Sequence, residues 1–139
     1  MDVRISKGAQ VLNAYIEFEV DETKGGTSPV NVVIDGELTP DAAPFANTPL
    51  NITLRPSWTT AVVKWSVPDW TAKDEKFQTL DISSIIQEIV NQDGWASGNA
   101  IVLTIYDDPD NPSTGVRCAE SYNGEAEAAP LLHIVATGP

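Results

Sequence analysis

The 139-residue sequence predicts an all-β fold: an antiparallel β-sandwich of jelly-roll type carrying one short α-helix, in a single domain over residues 1–139. Three observations carry that expectation. Several stretches alternate apolar and polar residues with period two, as half-buried strands do. Clusters of Gly, Pro, Asn and Asp separate them, with no strand–helix–strand alternation of the kind a parallel sheet needs. Only one stretch has helical periodicity.

The first strand lies within 11–20, where Ala14, Ile16, Phe18 and Val20 share one face and Tyr15, Glu17 and Glu19 the other. Gly25, Gly26, Thr27, Ser28 and Pro29 then turn the chain into a second strand with Val30, Val32 and Ile34 on its apolar face, and the two are expected to pair as a hairpin. Residues 39–50 hold Pro40, Pro44 and Pro49, which excludes them from a sheet interior and predicts a long surface loop, with Phe45 expected as its anchor in the core. In 61–67, Ala61, Val63, Trp65 and Val67 alternate with Lys64 and Ser66, and Pro68 ends the strand. The helix is predicted at about 81–92: Ile82, Ile85, Ile86, Ile89 and Val90 recur at helical spacing, Asp81 or Ser83 can cap its start, and Gly94 suits a left-handed C-terminal cap. Two more strands, 101–106 and 131–137, bracket an extended segment at 115–122.

Charge and composition then remove whole classes of function. Twenty acidic residues against eight basic ones give a formal charge of -12, which argues against nucleic acid and anionic membrane surfaces as partners. No stretch approaches the roughly 20 apolar residues of a membrane-spanning helix, and Met1–Arg4 lacks the pattern of a signal peptide. Cys118 alone cannot form an internal disulfide and reads as a small buried hydrophobe. His133 is the one imidazole, expected on the outward face of the last strand, and no Gly-x-Ser-x-Gly elbow exists to pair with it, so nucleophilic catalysis is not expected. A site of several His or Cys ligands is excluded by count, as is a nucleotide loop by the absence of its glycine pattern.

Carboxylates and aromatic rings remain. Asp107, Asp108 and Asp110, with Asn111, pack side-chain oxygens into one turn, a donor set suited to calcium, and Asp21 and Glu22 at the end of the first strand are a second contributor. The alternative is that Asp and Asn start turns through local hydrogen bonds. No cofactor is required by any motif; calcium is the one the donors could take. Of the four Trp, Trp65 falls on a core face, and Trp70 and Trp95 suit plugs at sandwich edges. Trp58, in the polar run Arg55-Pro56-Ser57-Trp58-Thr59-Thr60, and Tyr122, in Glu120-Ser121-Tyr122-Asn123-Gly124, are the rings expected to stand exposed as platforms for a sugar.

Several phrases occur together: Lys7-Gly8-Ala9 followed by Ala14-Tyr15-Ile16-Glu17-Phe18, then Trp65-Ser66-Val67-Pro68-x-Trp70, Ile85-Ile86-Gln87-Glu88-Ile89-Val90-Asn91, Gly94-Trp95-Ala96-Ser97-Gly98-Asn99-Ala100 and Ala119-Glu120-Ser121-Tyr122. With them the chain resembles the accessory modules of large secreted bacterial proteins, similar to DNRLRE-type and carbohydrate-binding jelly-roll domains. The resemblance spans nearly the whole chain. It implies a non-catalytic extracellular or cell-surface module that binds polysaccharide or a cell-surface glycan, with no membrane insertion. Such modules carry a further strand before the Lys-Gly-Ala turn; here only Asp2–Ser6 stands in its place, which leaves an edge open to dimerisation through strand pairing. A structural or adhesive spacer is the second expectation and a carboxylate-based glycan-degrading enzyme the third.

Overall fold

The computed structural model describes residues 3–25 and 27–138; Gly26, one of the glycines expected to turn the chain, and Met1 and Asp2 lie outside them. Among the described residues the chain forms seven strands, β1 Gln10–Glu22, β2 Val30–Gly36, β3 Val63–Val67, β4 Lys76–Gln78, β5 Leu103–Asp107, β6 Cys118–Ala119 and β7 Leu131–Thr137, with one helix, α1 Ser83–Val90, between β4 and β5. They make two antiparallel sheets. In the first, β1 pairs with β4, β6 and β7; in the second, β2 lies between β3 and β5. The fold is the predicted all-β sandwich with one short helix.

The expected hairpin of β1 and β2 does not form. Both strands have one apolar face, and the chain between Glu22 and Val30 crosses from one sheet to the other so that those faces meet across the core instead of lying side by side. Ala14, Ile16 and Val20 of β1 face Val30, Ile34, Trp65 and Val67, all of them buried. The long first strand is shared along its length: β7 pairs from Gln10 to Glu17 and β6 takes over at Val20 and Glu22. Strand β4, whose three residues follow the charged run Asp74-Glu75, is an element that alternation did not signal.

The opposite edge of β1 is completed by side chains. Thr79 Oγ1 accepts the Ile16 amide at 3.1 Å, Asp81 Oδ1 that of Ala14 at 3.0 Å, and Gln87 Oε1 that of Val11 at 2.8 Å. The backbone thus meets its hydrogen-bonding needs where no strand could follow, because the chain has turned into α1. Ile82, Ile85, Ile86, Ile89 and Val90 are fully buried, so the helical periodicity reports the core face correctly. The helix is shorter at both ends than 81–92. Asp81 and Ile82 are held by Ala14 of β1 before the first turn, and Gly94, with φ +92, turns the chain three residues beyond Asn91, which caps the helix in its place. Close approach of α1 to the second sheet depends on Gly36: a Cβ there would stand 2.7 Å from Ile89 Cδ1 and 3.1 Å from Ile85 Cγ2.

Two carboxylates fasten this helix. Asp81 accepts bonds from the amides of Ala14 and Ser83 and from the Ser83 hydroxyl, while Glu88 accepts the amides of Thr60 and Ala61, each at 2.8 Å. Burial opposes both charges, but these donors outweigh it and hold the two pKa values below the ordinary carboxylate range. A depressed native pKa stabilises the fold above the unfolded value and is lost as pH falls through the native one. Thermal melting of the protein is therefore expected to stay level in these groups above about pH 5 and to fall below about pH 4. The combined Asp81→Asn, Glu88→Gln variant is expected to show a shallower acid-side decline, and an unchanged slope would refute the assignment.

Three of the four Trp hold the core. Trp65 and Trp70 are 6% and 3% exposed, with Trp70 stacked on Phe77 at 5.5 Å, and the Trp95 indole N–H donates to Ile5 O at 2.9 Å. That last bond, with Val3 N–H to Asn99 O and Gly98 N–H to Val3 O, ties residues 3–5 to the loop after α1.

A candidate ligand-binding groove

The loop expected between 39 and 50 is present, but Phe45 does not anchor it: the ring is 59% exposed. Its place is taken by Arg55, which is buried and ion-paired through Nη1 to the buried carboxylate of Glu37, donates from Nη2 to Ala43 O at 2.9 Å, and lays its guanidinium 4.6 Å from the centre of the Phe45 ring. A charged pair can hold a loop this way because each partner offsets part of the other's cost of burial. The chain returning from this loop then runs beside the end of β2. Leu38 N–H reaches Ser57 O and Thr59 N–H reaches Gly36 O, with a bridge between Glu37 and Trp58.

These contacts set Trp58 over the outer face of the second sheet. There a groove of about 600 Å³ has Phe45, Ile52, Trp58 and Tyr106 along its sides and Asp35 and Thr104 in its floor. Strand alternation explains the floor. Val30, Val32 and Ile34 point to the core, so Asp35 points out, opposite Thr104 in the register, as Val33 is opposite Tyr106. Asp35 is only 8% exposed and accepts a hydrogen bond from the Thr104 hydroxyl. Burial, and behind it the charge of and hydrogen bonding to Asp35, raises the pKa of Tyr106. The groove thus presents a carboxylate acceptor and two hydroxyls between aromatic and aliphatic walls.

Trp58 is half-buried, one side of it turned to this groove. Tyr122 is 75% exposed, but it follows β6 in the first sheet and takes no part in the groove. The two expected platforms are not brought together. Phe45, Asp35, Thr104 and Tyr106 join Trp58 instead. Sequence signalled only part of this: the outward parity of Asp35 is readable in Val30–Gly36, whereas Phe45 looked like a core residue and nothing local ties Arg55 to Glu37.

The acidic turn is internally bonded. Lys64 Nζ donates to Asp108 Oδ1 at 3.0 Å and Asp110 Oδ2 at 2.7 Å, and Asp107 Oδ1 accepts the Ser113 amide at 2.9 Å. The amide of Asp110, then Lys64, lowers the Asp108 pKa against the effect of burial, and Ser113 lowers that of Asp107. Asp21 stands in the other sheet, 3.7 Å from Lys73 Nζ, and Glu22 beside it is exposed. Burial, then the neighbouring Asp21 carboxylate, raises the Glu120 pKa. Among the described residues no three His, Cys, Asp or Glu side chains are placed to hold a metal ion. His133 lies opposite Tyr15 in the β1–β7 ladder and stacks on it at 4.7 Å, and Cys118 is a half-buried free thiol in β6.

No family model, curated protein or solved structure matches the chain.

Proposed function

We propose that the chain is a non-catalytic accessory domain that binds polysaccharide in the groove beside Trp58, in an extracellular setting. The observation that supports this reading most is the composition of the groove: Asp35, Thr104 and Tyr106 offer polar groups to sugar hydroxyls, between the rings of Phe45 and Trp58. Sugar recognition uses both parts. The apolar face of a pyranose packs on an aromatic ring, and its hydroxyls need buried partners, since each one desolvated without a bond costs about 1–3 kcal/mol. The resemblance to carbohydrate-binding modules of secreted proteins agrees with that chemistry and supplies the extracellular setting.

A glycan array followed by affinity electrophoresis tests the proposal. The protein is expected to be retarded by at least one polysaccharide, and Trp58→Ala to weaken that retention by at least about 2 kcal/mol, roughly 30-fold, as removal of a central aromatic anchor does. Tyr122→Ala, on the other sheet, is expected to bind as the parent does. Retention lost in Tyr122→Ala and kept in Trp58→Ala would move the site away from the groove. Binding to no glycan would favour a structural spacer, and release of reducing sugar an enzyme.

A further inference from the structure

The second sheet has three strands against four in the first, and β5 forms one of its edges. Which backbone groups that edge exposes follows from the register. Glu37 N–H bonds to Val102 O and Asp108 N–H to Asn31 O, so the residues of even number in β5 turn their peptide groups to β2. The amides and carbonyls of Leu103, Ile105 and Asp107 point the other way, and no strand among the described residues pairs with them. Ile105 and Tyr106 are 40% and 44% exposed along this edge.

Openings flank the edge on both faces of the sheet. Beneath it, between the sheets, about 180 Å³ is left open against Phe18, Val32, Trp65, Ile105 and Ala119, comparable to the roughly 150 Å³ cavities that admit a benzene-sized group. Above it runs the groove floored by Asp35. Asp35 is buried, has hydroxyl partners, and enters no ion pair among the described residues. An added strand would send alternate side chains into these two openings, which is how strand addition acquires specificity beyond its main-chain bonds.

We infer that the free edge of β5 accepts an extended peptide segment as a fourth strand, with an aliphatic side chain inserted between the sheets and a Lys or Arg set against Asp35. The charge of the protein selects this occupant over a second copy of the chain: two molecules at -12 meeting at Asp107 would place like charges together, whereas a basic strand complements them. The inference shares Asp35 with the glycan reading but rests first on the backbone groups of β5 and not on the Trp58 ring.

The test uses three capped seven-residue peptides with the intact protein: one alternating Val and Lys, one alternating Val and Glu, and one of the same Val and Lys content with the residues in two blocks. Amide hydrogen exchange read by NMR is expected to slow at Leu103, Ile105 and Asp107 with the alternating basic peptide, while Thr104 and Tyr106, already bonded to β2, keep their rates. The block peptide, and the alternating basic peptide on Asp35→Asn, are each expected to bind at least about tenfold more weakly. Ile105→Pro removes the central outward amide without taking a bond from β2 and is expected to abolish the protection. Trp58→Ala is expected to retain it, so the peptide and glycan readings fail separately. The inference is overturned by unchanged exchange at the three amides with millimolar alternating basic peptide. Equal binding of the acidic or block peptide, or a native dimer in which these amides are already protected, would overturn it as well.

Discussion

Replacing Arg55 by alanine is expected to destabilise the protein by about 3–5 kcal/mol, measured by urea unfolding, because it strands the Glu37 carboxylate in a buried site without its partner. The same substitution frees the loop at Ala43 and removes the surface on which Phe45 rests, so glycan retention should fall with stability. The paired variant Arg55→Met, Glu37→Leu separates these effects. It removes both charges from the buried site and is expected to recover most of the stability, since well-packed apolar residues can replace a buried ion pair at little cost. Recovery of stability without recovery of binding would identify Arg55 as the residue that positions the groove wall. A cost for Arg55→Ala below about 1 kcal/mol, the range of exposed pairs, would show that the pair is hydrated in solution.

Truncating the helix has an effect of similar size for a different reason. Ile86 is fully buried on α1, and Ile86→Ala is expected to cost about 2–5 kcal/mol, the sum of lost burial and the cavity left behind. At roughly 2–4 °C per kcal/mol for a chain near this size, thermal melting should fall by about 4–20 °C. The side chain sits in the layer that joins both sheets, where Gly36 already brings β2 against Ile85 and Ile89, so little room exists for the structure to collapse into the gap. Leu80, which is 54% exposed just before the helix, provides the control: Leu80→Ala is expected to change stability by no more than about 0.5 kcal/mol.

The parts of this fold that sequence made legible are those set by one residue's own neighbours. The alternation of Ala14, Ile16, Phe18 and Val20 and the helical spacing of Ile82 to Val90 are local patterns, and both faces lie where those patterns put them. Partner choice was not local. β1 finds β7 more than a hundred residues along the chain and β4 about sixty, and either is compatible with the same apolar face as the neighbouring β2 would have been. Likewise Trp58 was legible as a ring in a polar loop. The groove around it was not, because Asp35 meets Thr104 only through strand register and the exposed Phe45 ring rests on an arginine whose buried pairing with Glu37 no pattern in the loop announces.

The ladder between the first and last strands also sets when the first sheet can be completed. Gln10 and Thr137 are partners across it, so their Cα atoms lie about 5 Å apart. Two residues 127 positions apart in the sequence are therefore neighbours in the first sheet. The long edge of β1 from Gln10 to Glu17 therefore has no partner until residues 131–137 have been synthesised, and the first sheet closes only once its last strand exists.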